Sequence, residues 1–364
     1  MLVQISTVTV VIPAFNAEHT LSETLSSLVA QTHAPFDVVV VDDGSTDRTY
    51  DVAASFMTRL AGLKIIRIAN SGVSRARNTG IEASGGDLVA TLDADDLWHP
   101  TYLEKMEAAL DANPGCNMVY CYHRKTDAAG RIVDRTFAHA VNGWGFYQLL
   151  CRNYFGNGSN AVYRRAALEA VGMFETRLVG SEDFYLQLLL SWDAPVVNVP
   201  EYLVGYRDLP NSLSKRWLEM AEADKVMVRL LRERLQPIDA VAWRHTLASR
   251  TYKQVETMRR TGRSRLARLP LIAFCMVADP DRYVQNYLRY GRRARGPGTE
   301  FTDPARGQHF LEVDPRLAPT LVLSDRWQRR LAIARARDAA HGERRAGARV
   351  PTSAAKPEAL TQAT

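Results

Sequence analysis

The sequence predicts an α/β fold built on a mostly parallel sheet with helices on both faces. Three observations predict it. Short β-branched runs alternate with stretches of helical period, the runs are apolar throughout, and polar clusters follow them directly. Thr7–Ile12 (TVTVVI) is the first strand, ended by Pro13. Ala17–Gln31 then repeats Leu21, Leu25, Leu28 and Val29 at helical spacing. Asp37–Val41 is the second strand, followed by an Asp/Gly/Ser/Thr turn and a helix from Arg48 to Leu60. Lys64–Ile68 is the third strand, Arg75–Ser84 a helix, and Asp87–Leu92 the fourth strand. Ligands of such sheets bind beyond the carboxyl ends of the strands. Asp42-Asp43, Asn70–Gly72 and Asp93–Asp96 all fall at those ends.

Further on, Met118–His123, Ala161–Arg164 and Pro195–Val199 read as strands and Glu182–Trp192 as a helix. The pattern from Lys215 to Arg268 is helical, and Pro270 is expected to break it. Arg292–Pro319, rich in Gly, Pro and charge, reads as linker. Asp325–Ala340 reads as a short basic helix, and the residues from Arg344 onward as disordered. The expected division is a sheet domain over 1–214, a helical region over 215–295, and linker, helix and tail over 296–364.

With 46% hydrophobic and 24% charged residues in 364, the chain is globular, which excludes collagen-like and wholly disordered classes. Four cysteines form no CxxC pair and no metal-finger spacing, so free buried thiols in a reducing cytosol are expected. No apolar run reaches the ~18–20 residues that span a bilayer, and the N-terminus lacks a basic signal-peptide region. A cytoplasmic protein is expected. The net charge of +6 hides two opposed halves. Up to Ser214 there are 16 Lys and Arg against 24 Asp and Glu, a balance of −8; beyond it 30 stand against 16, a balance of +14.

Three motifs carry chemistry. Asp93-Ala94-Asp95-Asp96 sets three carboxylates within four residues. Their mutual repulsion is relieved by a hard divalent cation, Mg²⁺ or Mn²⁺, or by solvent around a helix-capping turn. Val41-Asp42-Asp43-Gly44-Ser45-Thr46-Asp47 has the residues of a helix N-cap. It also has two successive acids at the end of a buried strand, where a carboxylate can accept from a base N–H or a ribose hydroxyl. Asn70–Gly80 (NSGVSRARNTG) runs a Gly-containing loop into a helix, with Arg75 and Arg77 as cations suited to phosphate. A P-loop ending and a GxGxxG after the first strand are both missing, which disfavours P-loop kinases and dinucleotide-dependent oxidoreductases.

Together, in this order, these elements resemble family 2 of the inverting nucleotide-sugar glycosyltransferases, which have the GT-A fold. VVIPAFNAEHTLSETLSSLVAQTH, VVVVDDGSTD, NSGVSRARNTG, DLVATLDADD and GSNAVYRRAALEAVGMFETRLVGSEDFYL carry the likeness, over roughly Thr7 to Ser214. The resemblance implies that Pro13, Ala14, Phe15 and Glu18 surround the nucleotide base and that Asp43 reads it. It implies that Arg77 lies on the nucleotide side, that Asp93 and Asp95 form the DxD pair with Asp95 the direct metal ligand, and that Asp183 is the general base. It further implies a nucleoside-diphosphate sugar donor, UDP-linked, a glycan or lipid-linked acceptor, Mn²⁺ or Mg²⁺, and cell-surface polysaccharide biosynthesis.

Two departures from the family pattern stand out. Leu209 occupies the position two after Arg207 where a histidine is frequent, leaving Arg207 and Ser212 as diphosphate contacts. No QxxRW segment follows Asp183, which favours non-processive, hexosyltransferase-type transfer. The alternatives are a nucleotidyltransferase and an inactive sugar-nucleotide-binding scaffold. In the basic half, the arginines between Arg244 and Arg295 read as a solvated helical face or as peripheral contact with an anionic membrane at its cytoplasmic face. Nucleic acid is disfavoured for want of a recognised signature.

Overall fold

The structure is a computed structural model that describes residues 8–33, 36–135, 139–209, 212, 215–260, 262, 264–279, 303–316 and 325–349. The first half alternates as the sequence predicts: β1 (Val8–Ala14), α1 (Leu21–Val29), β2 (Phe36–Asp42), α2 (Thr49–Ala54), β3 (Leu63–Arg67), α3 (Val73–Glu82) and β4 (Leu88–Thr91). There follow β5 (Leu97–Trp98), α4 (Tyr102–Asp111), β6 (Met118–Thr126), β7 (Ile132–Arg135), α5 (Phe146–Cys151), β8 (Ala161–Arg164), α6 (Arg165–Ala170), α7 (Glu182–Asp193) and β9 (Val196–Arg207). The sheet order is β3-β2-β1-β4-β8-β6-β9-β5, with β7 on the edge of β6. β8 runs against both β4 and β6, and β5 and β7 run against their neighbours; the remaining strands share one direction.

Alternation along β1 explains the layers. Val8, Val10 and Ile12 face a core shared with Leu21, Leu25 and Leu28 of α1, Ala53 of α2, and Leu103 and Met106 of α4. Val11 faces the opposite core, with Ile81 of α3, Leu149 of α5 and Leu186 of α7. Gly80 lets α3 close onto β1, because a Cβ there would stand 2.4 Å from Val11 Cγ1.

Several boundaries differ from the expectations. α2 ends at Ala54, where the Ser55 hydroxyl donates to the Val52 carbonyl and tighter turns carry the chain to Leu60. β9 continues through Pro200 to Arg207, because register shifts against Cys121–His123 absorb the proline. The helical region divides into α8 (Trp217–Arg234), α9 (Ala240–Arg260) and α10 (Arg265–Ala278). Pro270 does not break it. The break falls at Gly262 (φ 72°), Ser264 caps the new helix by accepting from Leu266 N, and Pro270 forfeits only one donor inside α10.

Part of the expected linker is folded. Residues 303–316 lie along the sheet: Ile132 N donates to the Gln308 carbonyl at 2.9 Å, Phe310 is fully buried, and Asp303 forms a buried ion pair with Arg124 at 2.9 Å. The apolar residues Phe310, Leu311 and Val313 outweigh the Gly/Pro content of this stretch. Residues 292–302 and 317–319 lie outside the described residues. The last helix, α11 (Asp325–Arg349), passes Ala340 and takes in Arg344, where disorder was expected. Leu331 and Ala334 join the core, and the Asp338 carboxylate accepts from Tyr147 N at 2.7 Å. The tail beyond Arg349 lies outside the described residues. The four cysteines are free, with Cys116, Cys121 and Cys275 buried.

Candidate active site

The carboxyl ends of β1, β2 and β4 carry the predicted site residues. Pro13 and Ala14 end β1, and Phe15 follows with its ring 52% exposed. The turns after β1 and β2 are bonded together. Asn16 N donates to Ser45 Oγ at 3.0 Å, and Thr46 N donates to Asn16 Oδ1 at 2.9 Å. Glu18 Oε2 accepts from the backbone N and the Nε of Arg48, which holds the Glu18 carboxyl below its ordinary range. Asp43 is buried, and its two oxygens accept from Ser71 N (2.7 Å) and Gly72 N (2.9 Å). It therefore fixes the loop that leads into α3.

The acidic turn after β4 is held by the loop that carries Asn157, Gly158, Ser159 and Asn160. Ser159 Oγ donates to Asp96 Oδ2 (2.6 Å) and accepts from Asp93 N (3.0 Å). Asp96 is fully buried, and its Oδ1 accepts from Arg207 N at 3.0 Å. It works as a brace. Burial, then repulsion from Asp95 and Asp93, pushes its carboxyl well above the ordinary range. Burial, then Asp93, likewise raises Asp95 to about 6, partly opposed by Arg207.

The centre of the site is Arg77, which stands between two acids. Its guanidinium is 3% exposed. Nη2 donates to Asp93 Oδ1 at 2.6 Å and Nη1 donates to Glu182 Oε1 at 2.8 Å. Burial opposes its charge, but Asp93, Glu182 and Asp183 together hold it firmly protonated. Gly158 permits this, since a Cβ there would lie 2.6 Å from Arg77 Nη2.

Asp183 is half-buried in the first turn of α7, beside the buried Glu182. Burial first and Glu182 second raise its carboxyl to about 7, against the pull of Arg77. Ser181, just before the pair, is left-handed at φ 62°, a strained conformation for a residue with a Cβ. Its hydroxyl donates to Asp224 of α8 at 3.3 Å, and Asp224 is paired at 2.9 Å with Arg250 of α9.

Arg207, expected at the diphosphate, is 1% exposed and paired with Glu23 of α1 at 2.6 Å, while the second Glu23 oxygen meets His309 at 3.2 Å. It is a buried structural cation, because a guanidinium inside the fold needs a carboxylate. Ser212 Oγ is buried with no hydrogen-bond partner among the described residues, and Leu209 is half-buried.

Among the described residues no three His, Cys, Asp or Glu side chains converge as a metal cage. Mg²⁺ and Mn²⁺ need only one or two protein carboxylates when water and phosphate complete the shell. Asp95 and Asp93 fit that demand. Asp93 keeps Oδ2 outside its bond to Arg77, and the raised Asp95 carboxyl marks negative charge that its own neighbours leave under-compensated.

Fold and site together define a mostly parallel α/β architecture with acids gathered at the carboxyl ends of its strands, and known proteins share that architecture. Residues 9–172 match the model of glycosyl transferase family 2. Asp183 lies beyond the matched stretch. The uncharacterized glycosyltransferase EpsJ of Bacillus subtilis (strain 168) is 32% identical over 230 residues, covering 57% of this chain and 63% of EpsJ. Glycosyltransferase GlyA of Streptococcus pneumoniae is 26% identical over 227 residues, covering 58% of this chain and 32% of GlyA. The chain thus matches under two-thirds of the length of these curated relatives.

Among solved structures, TarS of S. aureus in complex with UDP superposes with a TM-score of 0.53 at 20% identity, covering 76% of this chain and 82% of that one. The mannosyltransferase PcManGT of Pyrobaculum calidifontis, in complex with GDP-Man and Mn²⁺, gives 0.55 at 17% identity over 92% and 87%. These likenesses establish the fold as GT-A.

Proposed function

We propose that this protein is an inverting, non-processive glycosyltransferase of the hexosyltransferase type. It would move a sugar from a nucleoside-diphosphate donor, UDP-linked, to a hydroxyl of a glycan or lipid-linked acceptor in cell-surface polysaccharide biosynthesis. One observation carries the reading: Arg77 ties Asp93, on the donor side, to Glu182, the neighbour of Asp183. One buried guanidinium thus draws a leaving-group acid and a base into one cleft. The family match supports transferase chemistry, and TarS bound to UDP supports the donor class. PcManGT, bound to GDP-Man, keeps guanine donors within the test.

In this reading Pro13, Ala14, Phe15 and Glu18 border the base, and Asp43 accepts from it with the lone pairs its loop amides leave over. Asp93 and Asp95 would hold Mn²⁺ or Mg²⁺, which supplies positive charge to the departing diphosphate. The acceptor hydroxyl attacks the anomeric carbon as its proton passes to the Asp183 carboxylate. The bond from that carbon to the diphosphate oxygen breaks, and the nucleoside diphosphate leaves with the electron pair. A single displacement inverts the centre. Glu182, held by Arg77, keeps the Asp183 carboxyl basic.

No helix among the described residues is long and apolar enough to cross a membrane. The reading is of a cytoplasmic protein that meets the anionic inner face of a membrane through its basic half. The experiment is nucleoside diphosphate release from a panel of UDP- and GDP-sugars with Mn²⁺, for wild type, Asp183→Asn and Asp95→Ala. Release from one donor, lost in both variants, is expected. No release and no metal-dependent nucleotide binding would overturn the reading.

A further inference from the structure

α10 presents an apolar face to solvent. Leu266 is 76% exposed, Leu269 54%, Phe274 40%, Met276 51% and Val277 81%. At about 100° per residue these five side chains share an arc of roughly 160°. Pro270 and Ala273 fall in the same arc and are exposed too. The opposite side of the helix is anchored: Cys275 and Ala278 are buried, and Cys275 Sγ reaches the Ala248 carbonyl of α9 at 3.5 Å. Single exposed apolar residues are ordinary on a protein surface, but a continuous stripe of this kind marks an interaction surface.

Charge says what the surface meets. From Thr257 to Ala278 the chain has no Asp or Glu, but it has Arg259, Arg260, Arg263, Arg265 and Arg268. The first acid beyond the helix, Asp279, is already paired with Arg330 of α11. A second copy of the chain docked on the same face would set these arginines against their own kind. An anionic surface attracts a stretch of this composition. With 14 residues α10 is about 21 Å long, short of the ~30 Å hydrocarbon core, so it can lie along a bilayer but not cross it.

We propose that α10 is a membrane-docking helix, inserting Leu266, Leu269, Phe274, Met276 and Val277 at the headgroup boundary of a bilayer whose anionic lipids meet the neighbouring arginines. This rests on the anionic-membrane reading above and adds apolar insertion to charge attraction. It is independent of the transferase chemistry.

The full chain is sedimented with vesicles of phosphatidylcholine alone and of phosphatidylcholine mixed with phosphatidylglycerol. Binding to the mixed vesicles is expected, with part of it persisting at high salt. The double variant Leu266→Asp/Val277→Asp should weaken it by about tenfold or more. A second readout does not depend on that variant's fold. Val277→Cys, labelled with an environment-sensitive dye, should shift to the blue on mixed vesicles; three of the four native thiols are buried. If the double variant bound as well as wild type and the dye did not shift, insertion would be overturned while charge attraction stood. Wild type that bound neither vesicle would overturn both. Concentration-dependent dimers abolished by the double variant, without vesicle binding, would assign the face to a second copy.

Discussion

Arg77 and Glu182 stand 105 residues apart in sequence and meet in a buried ion pair of 2.8 Å. The other arm of the guanidinium holds Asp93 at 2.6 Å. One side chain therefore sets the relative position of the DxD turn and the first turn of α7. Arg77→Lys keeps the charge but cannot present two arms at fixed geometry. Its turnover should fall about a hundredfold, since small misplacements of reacting groups cost that much. Arg77→Ala leaves buried carboxylates uncompensated and should also lower urea stability by about 3–5 kcal/mol. Turnover of Arg77→Lys within a fewfold of wild type would refute the bridging role.

The Asp183 carboxyl lies near 7 for a stated reason, burial reinforced by Glu182. In the proposed role of base Asp183 works ionised, so turnover should climb about tenfold per pH unit below 7 and level off above it. The same shift acts on stability with a definite sign. The folded chain keeps a proton that the unfolded chain releases, so Asp183 favours folding less as pH rises from about 4 through 7. Asp183→Asn should thus be inactive yet more stable than wild type at pH 8, by thermal melting. A variant less stable than wild type at that pH would contradict the burial argument.

How much of this was legible in the sequence follows from locality. β1 to β4 and the acids at their ends are written in contiguous runs, and the structure places Asp43, Asp93 and Asp95 at those ends. The buried partners of the acids are not local. Ser159 is 63 residues from Asp96, and Arg207 is 184 from Glu23. A phosphate-binding arginine and a carboxylate-pairing arginine look alike in one dimension, so the sequence does not show that Arg77 pairs with Asp93 and Glu182 or that Arg207 pairs with Glu23. Ser159 had a signal of its own in the polar run Gly156–Asn160, between the aromatic Phe155 and β8. Residues 303–316 were misread because Gly and Pro content was weighed above three apolar residues that find a groove.

Asp95→Asn removes one charge from the acidic turn and leaves its shape. Metal-dependent UDP binding, followed by calorimetry with and without Mn²⁺, should weaken by at least about tenfold. UDP binding in the absence of metal should change little. Stability without metal should rise, because the variant removes a carboxylate whose burial and neighbour disfavour its charge. Equal metal dependence in wild type and variant would exclude Asp95 as a ligand.

The helical region also reaches the turn that carries Asp183, the proposed base. Asp224 of α8 accepts from Ser181, the strained residue before Glu182, and Arg250 of α9 neutralises Asp224 while lying 5.0 Å from the centre of the Phe184 ring. Asp224 and Arg250 are 1% and 10% exposed, so neither charge is covered by water. Arg250→Met should strand the Asp224 charge and destabilise the chain by about 3–5 kcal/mol. The double variant Asp224→Asn/Arg250→Met removes both charges and should regain part of that loss, the signature of direct coupling in a double-mutant cycle. Both variants should lower kcat more than donor KM, because the pair positions the turn carrying Asp183 and makes no bond to the donor-side acids. Additive urea stabilities, or a loss confined to KM, would show that α8 and α9 support the fold without setting the base.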